Sequence, residues 1–199
     1  MTVDALYFVT DIEATGFWPG RNSMLSFATV AVTATGEEHG RFEAVLAELP
    51  DATWHPGTRA WFEHDEPQAL AAATTDPREP AEVMSDFAEF VLGLPGPRVF
   101  AAAPVSFDGV WIDHYLRRFT PYGLRTGMYE PEGLFDDALC LRSYGAAVLG
   151  RSVVGLTAYD YPPEWLGNVP HTHRAIDDAL GFAHLLAELF RRSGAVTAR

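Results

Sequence analysis

The stretch Ala5-Leu-Tyr-Phe-Val-Thr-Asp-Ile-Glu13 decides the fold, because it combines a strand pattern with two acidic residues at its end. Its residues alternate between two faces and are rich in β-formers, which is typical of a strand. One face carries Leu6, Phe8 and Ile12, and the other carries Tyr7, Val9, Asp11 and Glu13. We therefore predict a first strand over residues 5–13 that presents both acids on the same side.

Two further apolar segments follow this strand closely along the chain. Met24–Thr33 is a second strand candidate, and a turn at Gly36–Gly40 leads into a third, Arg41–Ala47. Strands that are joined by short turns usually pair as an antiparallel meander. The sequence therefore predicts three antiparallel strands at its N-terminal end.

The rest of the chain alternates between helical and strand patterns. Apolar residues at helical spacing predict helices at Pro56–Ala73 (divided at Pro67), Pro80–Gly93, Asp108–Phe119 and Arg174–Arg192. Short strands are predicted at Arg98–Ala103 and Ala138–Leu141. Strands connected through helices pair in parallel, so we predict one α/β domain, residues 1–199, with a mixed five-stranded sheet flanked by helices. The long segment Gly150–Pro170 is a candidate functional loop.

The charge of the chain limits what it can bind. The formal net charge is −13, and each of the 14 basic residues is an arginine, because the sequence has no lysine. Such a chain is poorly suited to hold long duplexes, which need a large basic surface, but it can grip a few nucleotides or bind metal ions. The absence of lysine excludes phosphate-loop NTPases, Schiff-base enzymes and protein kinases. Codon bias in a GC-rich bacterial genome is the simplest explanation for it.

Cysteine content and hydropathy bear on the location of the protein. Cys140 is the only cysteine, so no intrachain disulfide can form. No apolar run reaches the roughly 18–20 residues that span a bilayer, and residues 1–8 show no signal-peptide pattern. We therefore expect a cytoplasmic protein.

Asp11 and Glu13 are the first candidates for chemistry. At a spacing of two in a strand, their side chains leave the same face about 6–7 Å apart, and converging carboxylates repel each other unless a cation lies between them. Oxygen donors of this kind suit Mg²⁺ or Mn²⁺. Taken alone, however, the pattern is more often a pair of solvated acids at the end of a strand.

Two other segments carry candidate ligands. Asp108 follows a predicted buried strand, at the edge where α/β sheets place ligands, although an acid there also caps a helix. His173 and Asp178 lie at the start of the last predicted helix, where a polar stripe would also explain them as solvent-facing residues. Each observation on its own favours the explanation without chemistry.

Together, and in this order, the three motifs resemble those of the DEDDh exonucleases of the DnaQ-like and ribonuclease T superfamily. They are Asp-x-Glu-x-Thr-Gly from Asp11, Phe-Asp at Asp108, and His-x-Ala-x-x-Asp-Ala from His173. The resemblance covers roughly residues 5–192 and implies a ribonuclease-H-like fold. It also implies a general base, His173, and four ligands for two divalent cations, Mg²⁺ or Mn²⁺: Asp11, Glu13, Asp108 and Asp178.

The resemblance implies a metal-dependent 3′-to-5′ exonuclease that hydrolyses the terminal phosphodiesters of single-stranded RNA or DNA to nucleoside 5′-monophosphates. Relatives bind the terminal nucleotide through the segment after the Glu, which here implies substrate contacts for Ala14, Thr15 and Phe17. Trp18 could assist, whereas Trp61 and Trp111 are interpreted as core residues. Relatives are often homodimers, but no interface can be read from the sequence.

The sequence departs from the family pattern at two points. Pro104 stands where relatives have Asn before the middle acid, and Ser26 stands where the second strand often carries Glu. His171 competes with His173 as the base, but only His173 has the family's five-residue step to Asp178.

Two other functions stay open at this point. One is a nucleic-acid-binding module that kept the fold without activity, which is expected to have lost ligands. The other is a phosphatase with an aspartyl nucleophile at Asp11, an enzyme class that usually needs a lysine.

Overall fold

The computed structural model describes residues 5–125 and 132–195. Both ends of the predicted 1–199 domain lie outside these ranges, and so does Met1–Asp4 of the N-terminal segment that shows no signal-peptide pattern. Among the helices of the described ranges, none combines the length and the apolar composition needed to cross a membrane.

The strands form one large sheet and one small one. In chain order they are β1 (Leu6–Ala14), β2 (Met24–Val32), β3 (Glu38–Val45), β4 (Arg98–Ala102), β5 (Tyr122–Arg125), β6 (Glu132–Phe135) and β7 (Asp137–Cys140). The large sheet has the order β3-β2-β1-β4-β7, and β5 pairs with β6. β2 pairs antiparallel with β1 and β3, whereas β4 pairs parallel with β1 and β7. The predicted mixed five-stranded sheet is confirmed.

Helices connect the strands. They are α1 (Pro56–His64), α2 (Pro67–Thr74), α3 (Pro80–Gly93), α4 (Val105–Phe119), α5 (Leu141–Leu149) and α6 (Ala175–Ser193). The first three begin at a proline, whose fixed φ and missing N–H suit the first turn of a helix. The predicted division at Pro67 is confirmed. α5 was not predicted, because β7 passes directly from Cys140 into Leu141 without turn residues that would separate the two patterns.

The helices cover both faces of the large sheet and create two cores. The first core joins one face to α3 and α4 and contains Phe8, Phe100 and Trp111. The second joins the other face to α5 and α6 and contains Val9 and Phe182. The period-two alternation of β1 assigns its side chains to these cores, and each large apolar side chain that is fully buried contributes roughly 1.5–3 kcal/mol. The interpretation of Trp111 as a core residue is confirmed.

The long segment Gly150–Pro170 has structure of its own. It contains two short 3-10 helices, Ala158–Asp160 and Pro163–Leu166. Leu156 and Tyr161 from this segment are buried in the second core. The segment is therefore packed onto the same side of the sheet as α5 and α6.

A buried group of hydrogen bonds ties the segment after β1 to α4. The Tyr115 hydroxyl accepts the N–H of Met24 at 2.8 Å and lies 3.1 Å from the Ser23 hydroxyl. The Ser23 hydroxyl also accepts the N–H of Leu49 at 3.0 Å. The N–H of Ser23 in turn donates to the Thr15 hydroxyl at 2.8 Å. One helix therefore fixes the path of the chain just after the two acids of β1.

We expect Tyr115→Phe to lower the free energy of unfolding by about 1–3 kcal/mol, because the buried N–H of Met24 loses its partner. Urea unfolding followed by circular dichroism measures this loss. Tyr122→Phe is the matched control, since the Tyr122 hydroxyl makes no hydrogen bond among the described residues. A difference between the two variants below about 0.5 kcal/mol, the range of an ordinary surface substitution, would contradict the prediction.

Candidate metal centre

Three carboxylates from two elements meet at the C-terminal end of β1. Asp11 and Glu13 lie on one face of this strand, as their spacing predicts, and α6 brings Asp178 to them from its first turn. Their carboxylate oxygens lie within 4.8 Å of one another. Glu13 and Asp178 are buried, and Asp11 is partly exposed. The interpretation of Asp178 as a solvent-facing residue is therefore wrong, because the start of α6 packs across the end of β1.

Asp108 approaches the group from the other side of β1. β4 ends at Ala102 while β1 continues to Ala14, so the last part of β1 has no strand partner on this side. Asp108 lies in the first turn of α4, directly after β4, and the N–H of Ile12 favours the charged form of its carboxylate. Burial raises the pKa of Asp108 to about 7, although the N–H groups of Ile12 and of Asp108 itself act in the opposite direction.

Two of the acids, Asp11 and Glu13, have a strongly raised pKa. For Asp11, burial is the largest cause of a strongly raised pKa, and the charges of the other three acids add to it. Burial is also the largest cause of the strongly raised pKa of Glu13, followed by the charges of Asp178, Asp108 and Glu66. A divalent cation removes this repulsion, and carboxylate oxygens are the donors that Mg²⁺ and Mn²⁺ prefer. The residues therefore fit the expected cations.

Two histidines border Asp178. His171 Nδ1 lies 2.7 Å from Asp178 Oδ1, and the N–H of Thr172 donates to the same oxygen at 3.2 Å. Ring nitrogens of His171 and His173 both lie within 4.8 Å of the Asp178 carboxylate. The direct contact is thus made by His171, whereas the sequence motif selects His173.

His173 packs against a tryptophan instead. Its ring meets Trp61 edge-on, with 5.0 Å between the ring centroids. Its φ of 54° lies in the left-handed region, which costs a non-glycine residue about 1–3 kcal/mol and is found most often at functional sites. Burial lowers the pKa of His173, and the neighbouring His171 lowers it further.

A cleft of about 390 Å³ opens beside Glu13. Its wall is mostly apolar and includes the aromatic rings of Phe17, His55, Trp61, Phe62 and Phe107. Trp61, interpreted from the sequence as a core residue, packs against the apolar cluster around Phe62 but also lines the cleft, so that interpretation is correct only in part. Of the predicted contact residues, Ala14 lines the cleft and Thr15 does not. Thr15 is fully buried with its hydroxyl bonded to Ser23, so its side chain positions the segment and does not face the cleft.

The rim of the cleft consists of exposed aromatic rings. The side chains of Phe17 and Trp18 are 55% and 53% exposed. Phe17 meets His55 edge-on, with 5.1 Å between ring centroids, and the N–H of His55 donates to the carbonyl of Thr15 at 2.8 Å. Exposed rings at the mouth of a cleft are suited to stacking on the flat part of a ligand.

Asn22 holds the turn that follows the rim residues Phe17 and Trp18. Asn22 accepts the N–H of Trp18 at 3.1 Å and donates to the carbonyl of Thr53 at 2.6 Å. A Cβ atom at position 16 would collide with the Asn22 amide. This close approach explains the glycine of the Asp-x-Glu-x-Thr-Gly motif.

Sequence reasoning missed three residues of this region: His55, Trp61 and Glu66. His55 immediately precedes the proline that begins α1, and Glu66 precedes the proline that begins α2. Both prolines indicate where a helix begins, but their position does not indicate that the two helices pack beside Glu13.

We expect Asp11→Asn to stabilise the metal-free protein by about 0.5–2 kcal/mol, because it removes one of several repelling charges from a strained site. The same change should abolish most of the stabilisation that Mn²⁺ gives the natural protein, about 2.7 kcal/mol at 100 times the Kd. Thermal unfolding in chelator and in Mn²⁺ measures both effects.

Asp86→Asn is the control for charge, because Asp86 lies in an exposed ion pair with Arg78 and such pairs contribute at most about 1 kcal/mol. Full retention of the Mn²⁺ effect in Asp11→Asn would argue against a metal centre.

No protein-family model matches the sequence, and no curated protein matches it. Solved structures do match. E. coli exonuclease I in complex with a dT13 oligonucleotide has 15% identity and a TM-score of 0.68, with 98% of this chain and 42% of that chain covered. The nuclease domain of 3′hExo, a DEDDh family member bound to rAMP, has 10% identity and a TM-score of 0.68, with 98% and 96% covered.

A 3′-exonuclease with 3′-end specific recognition of a histone mRNA stem-loop has 9% identity and a TM-score of 0.65, with 96% and 84% covered. The chain spans about two fifths of the length of exonuclease I and nearly all of the 3′hExo domain. At these identities the comparison concerns the fold alone, and the chain shares the ribonuclease-H-like α/β fold of these structures.

Proposed function

We propose that this chain is a metal-dependent exonuclease that removes nucleoside 5′-monophosphates from the 3′ ends of single-stranded nucleic acid. One observation carries the proposal, the convergence of four acids beside an aromatic cleft. These acids are Asp11, Glu13, Asp108 and Asp178. The structures that share the fold support it, because they are exonucleases, one with bound dT13 and one with bound rAMP. We further propose that residues 1–199 form a single exonuclease domain.

Two divalent cations, Mg²⁺ or Mn²⁺, suit the chemistry of the acids. Asp11, Glu13 and Asp178 would hold one of them, and Asp11 with Asp108 would hold the other. Such ions, when bound, activate water and neutralise the charge that develops on a phosphate. The protein contributes a largely buried site, in which electrostatic interactions are stronger than in bulk water.

The two histidines would have different tasks. His173 would accept the proton of the attacking water at a ring nitrogen, and its contact with Trp61 restricts where the ring can lie. His171 would orient Asp178, because its Nδ1 holds one oxygen of that carboxylate. Histidines that orient a ligand in this way commonly change metal affinity when they are replaced.

The cleft would receive the terminal nucleoside. Its volume of about 390 Å³ lies within the usual range for small-ligand sites. Phe17 and Trp61 offer flat surfaces to a base, and such stacking contributes roughly 1–3 kcal/mol per base and tolerates any sequence. Ala14, which lines the cleft, would approach the terminal 3′-hydroxyl.

No observation favours either of the other functions. A binding module that has lost its activity is expected to lack ligands, but all five motif residues are present. An aspartyl-nucleophile phosphatase at Asp11 usually needs a lysine, and the chain has none.

The test is a degradation assay with matched 5′-labelled DNA and RNA oligonucleotides in Mg²⁺. We expect a ladder of labelled strands that shorten from the 3′ end. Nucleoside 5′-monophosphates should be the second product. Chelator, a blocked 3′ end or Asp11→Asn should each prevent the ladder. Cleavage of a circular single strand, or no cleavage of either nucleic acid, would refute the proposal. The ratio of DNA to RNA rates identifies the preferred substrate.

Replacement of His173 and replacement of His171 should change different kinetic parameters. We expect His173→Ala to lower kcat by about 10²–10⁴, the usual contribution of a general base. We expect His171→Ala to raise the Mg²⁺ concentration for half-maximal rate by about 10–100-fold, with a smaller loss of kcat at saturating Mg²⁺. Rates measured over a Mg²⁺ titration distinguish them, and the reverse pattern would assign the base to His171.

A further inference from the structure

Most arginines of this chain already have an acidic partner. Ten of the 14 arginines lie within ion-pair distance of a carboxylate. Arg199 lies outside the described residues. The remaining three, which have no such partner among the described residues, are Arg21, Arg98 and Arg142. In a chain with a net charge of −13, an arginine without an acid is unusual, so its location is informative.

One of these three arginines, Arg142, follows a strand that ends at the same edge of the sheet as the acids. Arg98 begins β4, at the opposite end of the strand from Asp108, and its Nε is buried. Arg21 lies at the rim of the cleft, over the ring of Trp18 at 5.4 Å. Arg142 lies in the first turn of α5, directly after β7, and its charge lowers the pKa of Asp108.

The sheet places Arg142 in line with the acids. Along the C-terminal edge of the sheet, β1 carries Asp11 and Glu13, β4 leads into Asp108, and β7 leads into Arg142. The last residues of β4 and β7 are directly paired, Ala102 with Cys140. Across this edge, the two acids of β1 are therefore followed by Asp108 after β4 and then by Arg142 after β7.

Arg142 is held in an unfavourable position for a cation. The N-terminal end of a helix carries partial positive charge, which repels a cation in its first turn, and the side chain is half-buried. No hydrogen bond of the described residues involves its guanidinium, and the neighbouring Tyr161 hydroxyl is buried without a partner. The N–H donors of the Arg142 guanidinium therefore have no protein acceptor among the described residues, and an anion that reaches them would supply one.

We propose that Arg142 binds the first non-scissile phosphate of the substrate, the one on the 5′ side of the penultimate nucleotide. This inference rests on the proposed exonuclease function. With the terminal nucleoside in the cleft beside Glu13 and the scissile phosphate at the acids, the strand continues past Asp108. The next phosphate then meets Arg142, whose planar fork binds two phosphate oxygens at once.

The test uses two dinucleotides that differ only in this phosphate, dTpdT and 5′-phosphorylated dTpdT. A hydrogen-bonded charged contact contributes about 1.5–3 kcal/mol, which corresponds to about 10–150-fold. We therefore expect the 5′-phosphate to lower the KM of the natural protein by at least about 10-fold. Arg142→Gln should remove this difference while the KM for unphosphorylated dTpdT stays within about twofold. Arg142→Lys, which keeps the charge but not the fork, should retain part of it.

Arg41→Gln is the matched control, since it removes the same charge from an exposed pair with Glu38, and it should keep the full effect of the 5′-phosphate. An equal loss for both dinucleotides in Arg142→Gln would mean that Arg142 acts on the acids and not on the substrate. An unchanged 5′-phosphate effect would also overturn the inference. Circular dichroism and thermal unfolding verify that each variant is folded.

Binding of the same dinucleotides, measured by calorimetry with Ca²⁺ in place of Mg²⁺, tests the phosphate contact without relying on hydrolysis. This measurement separates the inference from the proposed function. If the protein binds both dinucleotides and Arg142→Gln selectively loses the 5′-phosphate effect, the contact stands even without hydrolysis. If hydrolysis occurs and the effect is insensitive to Arg142, only the inference fails. If the natural protein neither cleaves nor binds these dinucleotides or their RNA counterparts, both proposals fail.

Discussion

Repulsion among four largely buried carboxylates is the constraint on which this structure depends. Burial and the charges of the neighbouring acids raise the pKa of Asp11 and of Glu13, because apolar packing brings these elements together: one core lies on each face of the sheet, and the two cores hold β1, α4 and α6 in place. A domain of ordinary stability, about 5–15 kcal/mol, can keep such a group only if protons or cations neutralise it. The site is thus the part of the fold that packing stabilises least and ligands stabilise most.

Sequence periodicity was sufficient for the elements that build this site. The alternation in β1 correctly assigned Phe8 and Val9 to opposite cores, and it correctly placed Asp11 and Glu13 on one face. It was not sufficient for Asp178, whose polar neighbours on α6 form the same stripe whether they face water or a buried centre. Only the joint pattern of three motifs favoured the second interpretation, because periodicity within one helix contains no information about what packs against it.

Residues that act through distant contacts could not be predicted in this way. Trp61 has the helical spacing of a core residue, yet α1 packs its ring against His173 and the cleft. The four-residue strands β5 and β6 are too short for a period to show. Arg142 looked like any other arginine in the sequence, since the lack of an acidic partner is a property of the fold and not of its immediate neighbours.

The use of arginine for every basic side chain has a further consequence for how this protein responds to alkaline solutions. A guanidinium group keeps its proton above pH 12, whereas an ammonium group begins to lose it near pH 10. Because the chain has arginine and no lysine, its basic side chains as a class keep their positive charge in moderately alkaline solution. Changes in nucleotide affinity between neutral and moderately alkaline pH must consequently arise from groups other than the basic side chains.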